Sequence, residues 1–286
     1  MARELTFHEQ AERSLTTTYR KRIWTPFMKA LRDYELIQPQ DRIAVCISGG
    51  KDSMLLAVLM RLLSRFTAVP FTAEYLVMDP GYNPANREKI LRNAEKLDIP
   101  IRIFDSDIFA VANEAERNPC YLCARMRRGH LYAQAQALGC NKIALGHHFS
   151  DVIETTLLAM LYGGQLQGMM PKLHSANFPG MELIRPLYCV HEDAILAWKD
   201  YNGLDFLQCA CRFTERSHLS GDGIGESKRQ EIKQLIRALR ETNPNVEKSI
   251  FHALHRVSLD TFPGYKRGGV LHSFLEGYDG DETEES

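Results

Sequence analysis

A short apolar run, Asp41-Arg-Ile-Ala-Val-Cys-Ile47, breaks at Ser48-Gly49-Gly50-Lys51-Asp52-Ser53 and resumes as a helix-periodic segment over residues 53–65. A buried strand, a glycine turn and a helix in that order admit few folds. The helix presents Met54, Leu55, Val58, Leu59 and Leu62 on one face, which needs a sheet to cover it. The pattern then repeats: strand-like over 71–78, helix-like over 84–97, and strand-like over 99–104. A helix over 121–138 ending at Gly139, a strand over 141–145 and a helix over 151–161 complete the series. Alternation at this spacing predicts an α/β fold, a doubly wound parallel sheet. Such sheets bind ligands beyond the carboxyl ends of their strands, where the Ser48 turn would stand.

The flanks read differently. Residues 8–36 are helical in pattern, with Pro26 expected to break or kink the run. Beyond residue 206 come a cysteine pair, a glycine-rich loop at 221–225 and helices over 228–241 and 246–255. The expected organisation is an N-terminal helical segment (1–40), an α/β domain (41–205), a cysteine-containing helical region (206–272) and an acidic disordered tail (273–286). The net charge of -1 includes five acids in the last eight residues, so the remainder is mildly basic at +4 and advertises no partner by charge alone. The longest purely apolar run, 54–60, is too short to cross a bilayer, and the N-terminus lacks the apolar core of a secretory signal. The expected compartment is the cytoplasm, with no membrane partner. There, seven cysteines point to thiolate chemistry or metal ligation more than to disulfides.

Two loops carry anion and metal chemistry. Gly49 and Gly50 let the backbone approach an anion, the helix start behind them offers free amides, and Ser48 and Ser53 add hydroxyl donors. Asp52 suits a phosphate cradle only if a divalent cation accompanies the phosphate. The spacing is not that of the NTPase P-loop, and the plainer reading is a strand–helix turn capped by Ser53. The second loop, Gly146-His147-His148-Phe149-Ser150-Asp151, opens a helix on which Asp151, Glu154 and Thr155 share a face. Asp151 with Glu154 fits a capping box as well as a metal site.

Cys120-Tyr-Leu-Cys123 follows Asn118-Pro119 at the start of a helix, where two thiols converge on one metal or one disulfide. A second pair, Cys209-Ala-Cys211, lies far downstream, while Cys46, Cys140 and Cys189 sit in apolar segments as inert core thiols. Structural zinc, a redox disulfide and an iron–sulfur cluster held by three of these thiolates all remain open at this level. Arg125, Arg127 and Arg128 are candidates for phosphate contacts. Arg229, Lys233 and Arg237 lie opposite an apolar stripe, either as a solvated face or as an RNA contact whose loss would flatten the salt dependence of binding.

The 48–53 stretch resembles the pyrophosphate loop of the PP-loop ATPases (adenine nucleotide alpha hydrolase-like), which split ATP between its α and β phosphates and pass AMP to a carbonyl oxygen. Residues 147–155 resemble the His-His-x-Asp-Asp-x-x-Glu-Thr stretch of tRNA-modifying members, with Ser150 in place of the first Asp. Cys120-x-x-Cys123 with Arg125-Met-Arg-Arg-Gly129, Tyr162-Gly-Gly164, Gly168-Met-Met-Pro-Lys-Leu173 and Ile184-Arg-Pro-Leu187 narrow the resemblance to the tRNA 2-thiocytidine synthase (TtcA) family, over about residues 20–260. That resemblance implies ATP and magnesium held by Ser48, Gly49, Gly50, Lys51, Asp52, Ser53, Gly146 and His147, with Asp52 and Asp151 as catalytic carboxylates. It also implies a [4Fe–4S] cluster on Cys120, Cys123 and Cys209, although Cys-x-Cys replaces the family's usual Cys-x-x-Cys and leaves Cys211 as an alternative ligand. The implied reaction adenylates the C2 oxygen of a tRNA cytidine, at position 32, and replaces it with sulfur. The implied partners are tRNA, ATP, a sulfur donor such as a cysteine desulfurase, and a second copy in a homodimer. Two rivals use the same loop: an amine-using ligase of the lysidine- or NAD-synthetase kind, which leaves the cysteines idle, and a non-catalytic nucleotide-binding redox sensor, which has no use for Asp52.

Overall fold

The computed structural model describes residues 3–106, 108, 119–207, 224–276 and 278, with side chains throughout except at 119–125 and 224–227. The chain forms two compact units, residues 1–233 and 234–286. The first opens with α1 (Phe7–Thr16), a π turn (Arg20–Trp24) and α2 (Thr25–Asp33). The alternation follows: β1 (Arg42–Ile47), α3 (Lys51–Phe66), β2 (Thr72–Asp79), α4 (Pro84–Lys96), β3 (Ile101–Asp105), α5 (Pro119–Ala137), β4 (Lys142–Ala144) and α6 (Phe149–Gly163). Then come β5 (Lys172–His174), β6 (Glu182–Ile184), α7 (Glu192–Tyr201) and α8 (Ile224–Thr242), within which the division between the units falls.

The sheet order is β3-β2-β1-β4-β6-β5, parallel throughout except for the antiparallel edge strand β5. β1 is central, with Val45 facing Tyr75 of β2 on one side and Ala144 of β4 on the other. A strand enclosed on both faces has no need of alternation, and residues 43–47 are buried without a break. α3 is likewise buried from Ser53 to Leu63. It packs on β1 and β2 on one side and on α1 and α7 on the other. The amino ends of the parallel strands are sealed by ions: Lys142 Nζ meets Asp41 at 2.8 Å, Glu182 at 3.0 Å and the Leu36 carbonyl at 3.0 Å. All three ammonium donors are thereby used.

Three expectations need correction. Pro26 does not kink a long helix; it stands in the first turn of α2, where its missing N–H is no loss. The run breaks earlier, where Tyr19 N–H reaches back to the Ser14 carbonyl at 2.8 Å ahead of the π turn. The sequence reading gave no strands after β4, yet β5 and β6 complete the sheet. Residues 264–273, expected to be helical or tail, instead pair as β7 (Gly264–Arg267) and β8 (Val270–Ser273) across Gly268 and Gly269, both at positive φ as a tight two-residue hairpin turn demands. A short 3-10 turn, Phe274–Glu276, follows, and residues 279–286 of the expected tail lie outside the described residues. In the second unit α9 (Val246–Ala253) is tied to the end of α8 by Arg240 and Glu247 at 2.6 Å. Among the described residues no helix is long and apolar enough to cross a membrane.

Candidate active site

Strand order reverses between β1 and β4, and there the sheet opens a cavity of about 360 Å³. Ser48, Asp52 and Ser53 line it from the β1–α3 turn, and Gly146, His147 and Asp151 from the β4–α6 turn. Cys46 and Ile47 of β1, Met78 at the end of β2, Ile143 and Leu145 in and beside β4, and Arg127, Arg128 and Leu131 of α5 complete the wall. Gly49 stands at φ 82°, and a Cβ there would fall 2.7 Å from Ile90 and 2.9 Å from Leu207, so only glycine fits. Gly50 begins α3 with no side-chain cap. Ser53, expected as that cap, closes the loop instead: its hydroxyl accepts from Ser48 N–H at 3.1 Å and donates to the Gly50 carbonyl at 2.9 Å. The first-turn amides of α3 therefore remain available to an anion. A Cβ on Gly146 would lie 3.0 Å from backbone atoms of Asp52 and Ser53, which is how closely the second turn rests on the first.

α6 starts at Phe149, two residues before the expected start, because His148 is its cap: Asp151 N–H donates to His148 Nδ1, and the Asp151 carboxylate accepts from His148 N–H at 3.0 Å. Asp151 is thus the third helical residue and not the cap. His148, nearly fully buried, stands between two carboxylates, 3.6 Å from Asp52 and 3.5 Å from Asp151. Asp52 Oδ1 and His147 Nδ1 are buried without a hydrogen-bond partner. Burial, reinforced by the Arg185 cation, pulls the His147 pKa down to about 4, so its imidazole is neutral at pH 7.

Lys51, Gly49 and Gly50 do not line the cavity. The Lys51 ammonium lies between Asp52 at 3.0 Å and Glu192 at 2.9 Å. Burial opposes its charge, but the two carboxylates outweigh burial and raise its pKa. Burial likewise works against the Glu192 carboxylate, yet its bond to Lys51 and the nearby cations bring its pKa down to about 2. The charges continue through Lys233, 3.2 Å from Glu192 and 3.6 Å from the buried Glu154, to Arg229, 3.3 Å from Glu154. Arg229 and Lys233 are therefore not a free basic face: they neutralise acids of α6 and α7. The sequence reading missed Glu192 because an acid in the first turn of a helix looks like ordinary dipole compensation.

Cys120 and Cys123 fall in the first turns of α5, the helix whose later residues Arg127, Arg128 and Leu131 line the cavity. Cys209 and Cys211 lie outside the described residues. Leu207, just before them, donates its N–H to the Gly49 carbonyl at 3.1 Å. Burial pushes the thiols of Cys46 and Cys189 up to about 12 and about 11 and raises that of Cys140, which keeps all three protonated and unreactive. Among the described residues no group of three or more His, Cys, Asp or Glu side chains could hold a metal ion.

The cavity lies at the strand-order switch, against Ser48, Asp52 and Ser53 at the start of α3, and residues 15–211 match the model of the PP-loop domain family. The chain is 37% identical over 233 residues to a tRNA-cytidine(32) 2-sulfurtransferase of Syntrophotalea carbinolica, covering 80% of this chain and 86% of that one. It is 36% identical over 263 residues to the enzyme of that name in Alkalilimnicola ehrlichii, covering 90% of this chain and 79% of the relative. The fold is similar to that of the U34-tRNA thiolase NcsA from Methanococcus maripaludis with its [4Fe-4S] cluster, at a TM-score of 0.64 and 21% identity over 91% of this chain and 81% of that one. The chain belongs to the PP-loop family and, within it, to the tRNA-cytidine(32) 2-sulfurtransferase family.

Proposed function

We propose that the chain replaces the C2 oxygen of cytidine 32 in tRNA with sulfur at the expense of ATP, working in the cytoplasm with a separate sulfur donor, such as a cysteine desulfurase, and as a homodimer. The observation that carries this reading is the convergence of three elements on one cavity: the diglycine turn, the His147–Asp151 turn and the helix that begins with Cys120 and Cys123. The Ser48 hydroxyl and the α3 amides hold the pyrophosphate end of ATP, with Ser53 bracing the loop from within. The C2 oxygen attacks the α-phosphorus, pyrophosphate leaves, and a sulfur nucleophile then displaces AMP, which carries the oxygen away.

The donor set fits magnesium: Asp52 Oδ1 is a buried oxygen that accepts no hydrogen bond, and Asp151 is held in the same cavity across His148. Magnesium typically takes one or two carboxylates and completes its shell with phosphate oxygens and water. Neutral His147 can enter a hydrogen bond at Nδ1 without carrying a positive charge beside the phosphates. The thiol set fits a cluster in two respects. Cys120 and Cys123 occupy one helical turn, and Leu207 is bonded to the diglycine turn only two residues before Cys209, a reach of at most about 7 Å of chain. Bound to Cys120, Cys123 and Cys209, a [4Fe–4S] cluster would supply an iron with an open position for sulfide.

The test is anaerobic incubation of the protein, with its iron and sulfide content measured, with unmodified tRNA, ATP and sulfide, followed by nucleoside analysis. The expected product is 2-thiocytidine in stoichiometry with pyrophosphate. Sulfur appearing in a different nucleoside, or pyrophosphate released with an amine and not with sulfide, would sink the substrate or the nucleophile respectively.

A further inference from the structure

A second cavity, of about 510 Å³, lies between α5 and the β5–β6 pair. Arg128 and Tyr132 line it from the helix, and His174, Asn177, Phe178 and Arg185 from the strands and their connection. Arg128 lines the nucleotide cavity as well. Nothing in the adenylation chemistry occupies this second space.

Among the described residues its arginines form no ion pair, although the Asp151 carboxylate acts on Arg185 from a distance. The Arg185 guanidinium bonds to the Met170 carbonyl, but its Nε is buried with no partner. Burial, with Arg128 as the next cause, draws the Arg185 pKa down to about 10. No carboxylate among the described residues pairs with either arginine. A desolvated guanidinium left unpaired is costly, and a phosphate, which arginine meets in a fork of parallel hydrogen bonds, removes that cost. The lining also carries an aromatic pair. Tyr132 and Phe178 stack with ring centroids 5.0 Å apart and planes 13° from parallel. Phe178 is the partly exposed member, and the exposed Asn177 beside it carries both a donor and an acceptor, as a pyrimidine edge requires.

We propose that this second cavity receives the target nucleotide of the RNA: a pyrimidine unstacked from its neighbours lies against Phe178, its edge reads Asn177, and its phosphate rests on Arg128 and Arg185. Arg128, shared by both cavities, is the junction at which the base's carbonyl oxygen meets ATP. The assignment rests on the thiolation reading for the identity of the base, but not for the existence of the pocket.

An anticodon stem-loop RNA with 5-bromocytidine at the target position, irradiated on the full-length protein in the presence of a non-hydrolysable ATP analogue, tests it. The cross-link is expected at Tyr132 or within residues 173–178, and the analogue should not displace it. Arg185→Gln should weaken stem-loop binding about tenfold and leave analogue binding unchanged. Asn177→Ala, at an exposed position that folding does not need, should weaken it about threefold, as one lost neutral hydrogen bond predicts. A cross-link confined to residues 46–53 overturns the proposal. So does an Arg185→Gln variant that loses the analogue and keeps the RNA, since the phosphate would then be that of ATP. A protein that cross-links as expected yet forms no 2-thiocytidine keeps the pocket and loses the thiolation reading.

Discussion

The two ends of the parallel strands treat buried charge in opposite ways. At the amino ends, Lys142 is saturated by Asp41, Glu182 and the Leu36 carbonyl, and Asn141 bonds both Asp41 and the Arg42 amide. At the carboxyl ends, Asp52 Oδ1, His147 Nδ1 and Arg185 Nε are buried without a hydrogen bond. A folded chain rarely tolerates orphaned polar atoms unless something else satisfies them. The lower edge is therefore built for stability and the upper edge for ligands, and substitutions at the two edges should fail in different assays.

Lys142→Met should have the largest effect, and on folding alone. It strands two carboxylates in a dry site, a loss of about 3–5 kcal/mol. Denaturant unfolding should register it, whereas the turnover of whatever fraction folds should hold. A variant as stable as the parent would mean that water reaches those acids and that the edges do not differ. Asp52→Asn should invert the pattern. The asparagine oxygen can still accept from Lys51, so the cost to stability is that of weakening one charge-assisted hydrogen bond, about 1 kcal/mol. Turnover should drop about 10²–10³-fold if the Asp52 carboxylate meets charge that develops in the transition state. A loss of stability without a loss of turnover would place Asp52 among the structural ions.

Glu192→Gln sits between these extremes, because Glu192 joins the Lys51 loop to Lys233. Losing a charge-assisted hydrogen bond there should cost about 1.5–3 kcal/mol near neutral pH. The folded-state pKa, about 2 against an ordinary 4.5, makes the acid dependence specific. The parent's advantage should be full above about pH 4.5 and should fade as pH falls toward about 2, where the folded carboxylate also takes a proton. An advantage independent of pH across that window would deny the ion pair any part in it.

The legible part of this molecule is local. Residues 41–66 announce strand, turn and helix because burial on all sides removes periodicity from β1, while two glycines mark the turn, one of them at positive φ and packed against Ile90 and Leu207. Residues 147–155 were equally visible. What the sequence concealed is non-local. β5 and β6 are three residues each, too short for a period to register, and are fixed by the pairing of β6 with β4 and of β5 with β6. Arg185 follows an apolar pair and reads as an ordinary exposed arginine; its isolation exists only once Arg128 is folded beside it. Arg229 and Lys233 look like a solvated face for the converse reason, since Glu154 and Glu192 reach them from other helices. Charge pairing across elements leaves no trace at fixed spacing.

The smallest effect at neutral pH belongs to His147, and it tests the upper edge without any nucleotide. Its folded pKa is about 4 against 6.5 in an unfolded chain. Between those values the unfolded chain binds the proton and the folded chain does not, so stability should fall as pH drops from 6.5 and level off near pH 4. The slope can reach roughly 1.36 kcal/mol per pH unit, the limit for one proton. His147→Gln, which keeps a polar group and cannot titrate, should match the parent at pH 7.5 and gain on it as the solution is acidified. Parallel stability curves for parent and variant would show that the imidazole is already solvated or paired. The orphaned nitrogen at the carboxyl edge would then lose its meaning as a place kept for a ligand.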